Sequence, residues 1–204
     1  MKIIDISMEL NEKTIVWVDD DQPKLIPVAR KPEAPINFTW LDFGSHAGTH
    51  IDAPFYLFNK KWKSDEVPFD VLMGDCQVID LCDVDDYITV EDLKKHKITS
   101  SRILLKTKNS YDAMEKYNPN HVALSEEAAK YLRDLKIKLI GYDYQSFERN
   151  GEVNIHRIFM EENIICLDNL RLKDTKEKTY QFICLPVKIT GIDAAPSRAI
   201  LIEN

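Results

Sequence analysis

The sequence has no apolar run near the roughly 18 residues that a membrane-crossing helix needs. It has no Cys-x-x-Cys pair, no internal repeat, no low-complexity stretch and no Gly/Ser-rich linker. It also lacks a basic patch. Its 27 Lys and Arg are outnumbered by 34 Asp and Glu, for a net charge of -7. The densest basic cluster, Lys94-Lys95-His96-Lys97, follows Glu91 and Asp92. An acidic chain repels phosphate backbones, so neither nucleic acid nor a membrane is expected as a partner. Met1 to Ser7 contains neither a long apolar segment nor a small-residue cleavage site, so no export signal and a cytoplasmic location are expected. The cysteines Cys76, Cys82, Cys166 and Cys184 are widely spaced, and are expected to be reduced and buried as small hydrophobes.

What is present suits one globular domain spanning residues 1–204. Hydrophobic residues make up 44% of the chain, enough to offset the entropy of ordering it. Ile4, Ile6, Met8 and Leu10 alternate with polar residues, which predicts a half-buried strand. Ile36–Phe43 is a second β-rich run. Four short apolar runs, at 76–81, 102–106, 138–142 and 182–185, suit buried strands. Thr89 with Asp92 resembles a capping box, and Ser125 before Glu126-Glu127 marks another helix start. Ala128, Leu132 and Leu135 follow as an apolar stripe. Ile155, Ile158 and Phe159 allow a short helix within 153–162. Strands and helices alternate from about residue 76, giving an α/β fold with a mixed sheet.

The segment Ser45-His46-Ala47-Gly48-Thr49-His50-Ile51-Asp52-Ala53-Pro54 places three ligand-type side chains within seven residues. Imidazole with carboxylate suits Zn, Mn or Fe(II) better than Ca or Mg. Gly48 permits a tight turn between the histidines. In an extended segment His50 and Asp52 share one side. Thr49 is placed to hydrogen-bond a ligand. Gly48, the β-branched Thr49 and Ile51, and Pro54 argue against a helix here. Two turn histidines and an Asx-turn aspartate would give the same pattern without a metal.

The run from His46 to Pro54 resembles the signature of the metal-dependent cyclase family, whose members include kynurenine formamidases and isatin hydrolases. Two further blocks are similar to that family: Ile140-Gly141-Tyr142-Asp143 with Ser146, and Leu185 to Ala199. Order and spacing agree over nearly the whole chain. The resemblance implies a swivelling β/β/α cyclase-like domain and a site for one or two divalent ions, zinc before manganese. It implies the ligands His46, His50 and Asp52, joined by His156 and, twelve positions later, Asp168. Glu is usual in the family where Asp168 stands. Without the resemblance His156 reads as a structural histidine and Asp168 as a turn or cap residue. His96 and His121 match no ligand position, and Glu161 and Glu162 read as a solvated face.

Tyr56 occupies the position of a histidine that shuttles protons in the family. It is a candidate catalytic group or a wall aromatic. Trp17, in Ile15-Val16-Trp17-Val18-Asp19-Asp20, resembles the family's substrate-lining tryptophan, although the Pro and Gly that usually follow are replaced. Asp193 and Arg198 match strong family positions, explained equally by a buried structural ion pair or by chemistry. The implied activity is metal-dependent hydrolysis of a small amide, formamide or cyclic amide, in a homodimer or homotetramer. The alternative is a member that has kept metal or ligand binding and lost catalysis.

Overall fold

A computed structural model describes residues 1–17, 20–112, 116–149 and 151–203. In chain order the strands and helices are β1 (Lys2–Asp5), β2 (Lys24–Ala29), β3 (Phe38–Asp42), β4 (His50–Asp52), α1 (Phe69–Leu72), β5 (Met73–Asp80), β6 (Tyr87–Ile88) and α2 (Val90–Lys94). They continue with β7 (Arg102–Lys106), β8 (Ala123–Leu124), α3 (Glu126–Asp134), β9 (Leu139–Tyr142), α4 (Asn154–Glu161), β10 (Ile165–Asp168), β11 (Lys178–Pro186) and β12 (Ala194–Glu203).

The main sheet runs β1-β12-β11-β5-β7-β9-β10-β4, and β4 also pairs with β12. Seven strands therefore close on themselves as a barrel. β5, β7, β9 and β10 are parallel neighbours. β4, β11, β12 and β1 add antiparallel pairings, so the sheet is mixed. The parallel set is wound through α2, α3 and α4, as parallel neighbours require.

Strand alternation sorts the apolar residues into two cores. Val78, Leu104, Leu139, Ile165, Leu167, Ile51, Phe182, Cys184, Ala199 and Leu201 come from every strand of the ring and pack together, which makes theirs the inside face. Ile79, Ile103, Leu105, Ile140, Tyr142 and Cys166 point the other way, against Leu93, Ala128, Leu132, Ile155 and Phe159 of the helices. Gly141 is required where β9 passes between the two. A Cβ there would meet Leu104 Cδ2 at 2.4 Å and Leu170 Cδ1 at 2.7 Å.

Local signals act as expected at the helix starts. Thr89 and Asp92 form a reciprocal capping box on α2, and Ser125 Oγ accepts from Ala128 N on α3. The stripe of α3 stops early, because Leu135 lies past its end and is exposed. The first strand is also shorter than its alternation predicts. It ends at Asp5, because Ser7 bridges to Leu170 and Met8 N donates to Thr49 Oγ1 at 2.7 Å. All four cysteines are free, three of them buried and Cys82 partly so.

β2 and β3 form a separate two-stranded sheet. Ile26, Val28, Ile36, Phe38, Trp40 and Leu41 are all exposed on or beside it. The β-rich run at 36–43 is thus a strand outside the barrel. Among the described residues, no helix is long and apolar enough to cross a membrane.

Candidate metal centre

β4 lies between β10 and β12, with His50 opposite Asp168 and Asp52 opposite Cys166. Ile51 points into the barrel, so His50 and Asp52 point out, toward α4. Asp168 ends β10 and shares the outward face with Cys166. His156 meets them from the buried side of α4. The site therefore sits at the carboxyl end of a parallel strand, where open α/β sheets commonly bind ligands.

The preceding turn delivers His46. Gly48 takes a φ of +67°, which a side chain would strain. Helix is absent here, as the composition of the segment predicts. Thr49 proves to tie backbone together: its hydroxyl donates to Asn169 O at 2.7 Å and accepts from Met8 N.

Each imidazole has its outer nitrogen engaged. His46 Nε2 donates to Asp193 Oδ2 at 2.7 Å, and His50 Nδ1 donates to the Gly48 carbonyl at 2.8 Å. His156 Nδ1 donates to Glu148 Oε2 at 2.6 Å. The inner nitrogens then face one another and the acids. His46 Nδ1 lies 3.3 Å from His50 Nε2 and 2.9 Å from Asp52 Oδ1. His156 Nε2 lies 3.6 Å from both Asp52 Oδ2 and Asp168 Oδ2. Two ligand groups result, His46-His50-Asp52 and Asp52-His156-Asp168, each with atoms within 4.8 Å of one another. Asp52 belongs to both.

This donor set fits a divalent cation. Asp52 Oδ1 and Asp168 Oδ1 are buried without an aligned hydrogen-bond donor, a costly condition unless a positive charge is present. In a cation's absence protons take its place. Burial disfavours a charged His46, but the Asp52 charge, the hydrogen bond to Asp193 and the close contact with Asp52 outweigh it and raise its pKa to about 10. Burial likewise opposes a charged His156, yet the charge of Glu148 and contacts with Asp168 hold its pKa well above the usual value. Burial pushes Asp52 up, but His46 and His50 hold it well below the usual carboxylate range. Asp168 moves upward, through burial and the nearby Asp52 charge, despite His156.

Glu148 is the residue of this centre that the sequence reading missed. Its Oε1 accepts from the N–H groups of Ile155 and His156 at 2.5 and 3.1 Å, capping the positive end of α4. Its Oε2 orients the His156 ring and accepts from Ser146 Oγ at 3.1 Å. The Gly141-x-Asp143-x-x-Ser146 block thereby acquires its roles. Gly141 allows close packing, Ser146 steadies Glu148, and buried Asp143 accepts from Thr107 and Ser110 to hold the neighbouring loop.

Asp193 and Arg198 do not pair with each other. Asp193 goes to His46, with Ser45 Oγ at 3.3 Å from its other oxygen. Arg198 is exposed and pairs with Asp5 through its Nε at 3.1 Å. His96 contacts Glu177, and His121 stacks on Tyr144, both away from the ligands. Glu161 and Glu162 face solvent.

Above the ligands opens a cavity of about 320 Å³. Tyr56 and Trp17 both line it. The Tyr56 ring lies 4.9 Å from the His46 ring and 6.3 Å from that of His156. Trp17 packs edge-on against Tyr117 at 5.1 Å. The sequence candidates Trp17, His46, His50, Asp52, Tyr56, His156 and Asp168 thus meet around one space.

A family model described as "Putative cyclase" matches residues 4–149. The chain belongs to this cyclase family. It is 28% identical over 206 residues to a kynurenine formamidase of Salinibacter ruber, covering 98% of this chain and 97% of that relative. A solved structure described as a potential metal-dependent hydrolase with cyclase activity superposes with a TM-score of 0.87 at 31% identity, over 100% of this chain and 99% of the other. An isatin hydrolase bound to the product analogue thioisatinate shares the cyclase fold, with a TM-score of 0.85 at 18% identity over 100% of this chain and 93% of that one.

Proposed function

We propose that this cyclase-family protein is a metal-dependent hydrolase of a small amide, formamide or cyclic amide. The observation that supports it is the meeting of two ligand groups through Asp52 beneath one cavity. The kynurenine formamidase relative and the metal-dependent hydrolase neighbour support the same chemistry. His46, His50, Asp52, His156 and Asp168 would hold one or two divalent ions, zinc first and manganese second, given imidazole and carboxylate donors. When bound, such an ion supplies a water acidified to a pKa of about 7 and a charge that polarises a carbonyl.

The chain's own groups supply the rest. Glu148 and Asp193 lock the His156 and His46 rings, so their inner nitrogens stay aimed at the centre. Tyr56 is held protonated at neutral pH, since burial and the Asp52 charge raise its pKa above the ordinary phenol value. It therefore serves as a proton donor to the leaving nitrogen rather than as a base. Trp17 offers a flat wall for an aromatic or planar substrate.

Purified protein should lose amide hydrolysis on chelation and regain it with zinc or manganese. Hydrolysis that a chelator does not touch would overturn the metal mechanism. Bound metal without turnover across amides, lactams and lactones would identify a binding protein instead. Tyr56→Phe should lower turnover of the loaded protein by about 100-fold with little change in metal content, the lower end for a lost general acid. Tyr56→His should raise formamide turnover on an otherwise competent scaffold, and no gain would point to a different substrate or a different proton shuttle.

Assembly as a homodimer or homotetramer is part of the same reading. The β2–β3 ribbon exposes Trp40 at 59% and Val28 at 57%. An isolated two-stranded ribbon is only marginally stable in water, so a second copy is the proposed cover. Trp40→Glu should shift the protein toward monomer in sedimentation. The reduced cysteines suit a cytoplasmic setting.

A further inference from the structure

The wall of the metal cavity has a consistent electrostatic character. Asp20, from the loop after Trp17, and Glu152, from the loop before α4, both line it and are exposed. Neither has an ion-pair partner among the described residues. No Lys or Arg lines the cavity among those residues. The residues outside the description include none either, being Val18, Asp19, Ala113, Met114, Glu115, Asn150 and Asn204.

A second feature is deeper and independent of those acids. Asn169 is 2% exposed and lines the same space. Its Nδ2 donates to the Gly48 carbonyl at 3.0 Å, which leaves the buried Oδ1 without a donor. The side-chain carbonyl of Gln145, also on the wall, is unpartnered too. A buried carbonyl left unpaired is costly, so each is a place for a ligand N–H. Trp17 adds an aromatic face, which attracts cations through its ring quadrupole.

Away from the ligands, the charged side chains on this wall are Asp20 and Glu152, and its buried unpartnered carbonyls are those of Asn169 and Gln145. We propose that the substrate carries a positive charge at the end remote from its scissile bond, held between Asp20, Glu152 and the Trp17 ring, with an N–H of the same molecule on Asn169. This rests on the hydrolase reading for the bond that is cut, and adds the substrate's charge class. A substrate whose remote end is a carboxylate would meet two unpaired acids and no cation. Each exposed contact of this kind contributes roughly 2- to 5-fold. Together they give an expected preference of about 10-fold for a cationic over a neutral substrate of equal size.

The test uses the zinc- or manganese-loaded protein and three formanilides of matched size, with para-aminomethyl, para-methyl and para-carboxylate groups. The kcat/KM values should rank ammonium above methyl above carboxylate. The ammonium advantage should shrink with added salt, as a screened attraction does. In the double variant Asp20→Asn/Glu152→Gln the ammonium-to-methyl ratio should fall toward one. A ratio near one in the unaltered protein, or a preference for the carboxylate, overturns the proposal.

A parallel binding measurement keeps the charge class separate from the chemistry. Calorimetry compares benzyltrimethylammonium, which has no lone pair for a metal, with benzyl alcohol and benzenesulfonate. Tighter binding of the cation supports the proposal even if no formanilide is cut, a result that would count against the hydrolase reading alone. Equal binding, or tighter binding of the sulfonate, overturns it.

Discussion

The two halves of the candidate centre are built in opposite ways. His46, His50 and Asp52 come from one turn and one short strand, and the His46 side chain keeps 30% of its surface exposed. His156, Asp168 and Glu148 come from a helix, a strand end and a loop, and the side chains are only 2–5% exposed. Outer partners differ as well. Asp193 holds His46 from a half-open position where water can replace it. Glu148 holds His156 in a sealed one, while also capping α4. The first half is local, and only its His46 is open to solvent, since the His50 and Asp52 side chains are 3% exposed. The second is assembled by the fold and has no substitute for a lost partner.

The shared residue should show the largest effect. Asp52→Asn removes the carboxylate common to both groups, so metal content and turnover should both collapse. The loss should exceed the ~100-fold that a missing outer partner can cost. Metal analysis with steady-state rates measures it, and retention of one ion per chain would show that the halves bind independently. Next come the outer partners themselves. Glu148→Gln should weaken metal binding by roughly 10- to 100-fold, and Asp193→Asn by about 10-fold or less. Competition with a metallochromic indicator reads both, and equal losses would remove the distinction between sealed and open halves.

Gly141→Ala tests the packing beneath the centre without touching a ligand. The added methyl meets Leu104 and Leu170, so urea unfolding should show a loss of about 1–3 kcal/mol. Metal affinity per folded molecule should hold.

The smallest expected effect is a pH dependence of the metal-free protein. The folded His46 pKa of about 10 lies above its ordinary value of 6.5. Its contribution to stability is therefore complete below about 6.5 and is lost as pH rises through about 10. His156 shifts in the same direction. Melting temperature should fall across that window without metal. With zinc bound, the inner nitrogens would release their protons to solvent and offer their lone pairs to the ion, so the dependence should flatten. A metal-free protein whose melting temperature rises with pH across that window would contradict the charged His46.

The difference between the halves also explains what could be seen in the sequence. His46, His50 and Asp52 were visible because a turn and a strand write their geometry into neighbouring residues, with Gly48 marking the bend. His156 and Asp168 look ordinary locally and were reached only through resemblance to the cyclase family. Glu148 left no signal, because its role depends on α4 returning its N-terminus to the loop after β9. Asp193 was visible as a family position, but its link to His46 arises only where the start of β12 lies beside Ala53, which donates to the Asp193 carbonyl at 2.9 Å. Likewise, residues 36–43 have the composition of a strand, yet periodicity does not reveal that its partner is β2 rather than the barrel. The alternation through Leu10 was real as a burial pattern, but tertiary bonds to Thr49 and Leu170 ended the strand early.

β4 is three residues long, and it is also the stave that shuts the barrel between β10 and β12. Its backbone seals the wall while two of its three side chains, His50 and Asp52, join the candidate ligand groups. A cation held by Asp52 and Asp168 would act as a rivet across the seam between two neighbouring staves. Loading the site would then tighten the vessel as well.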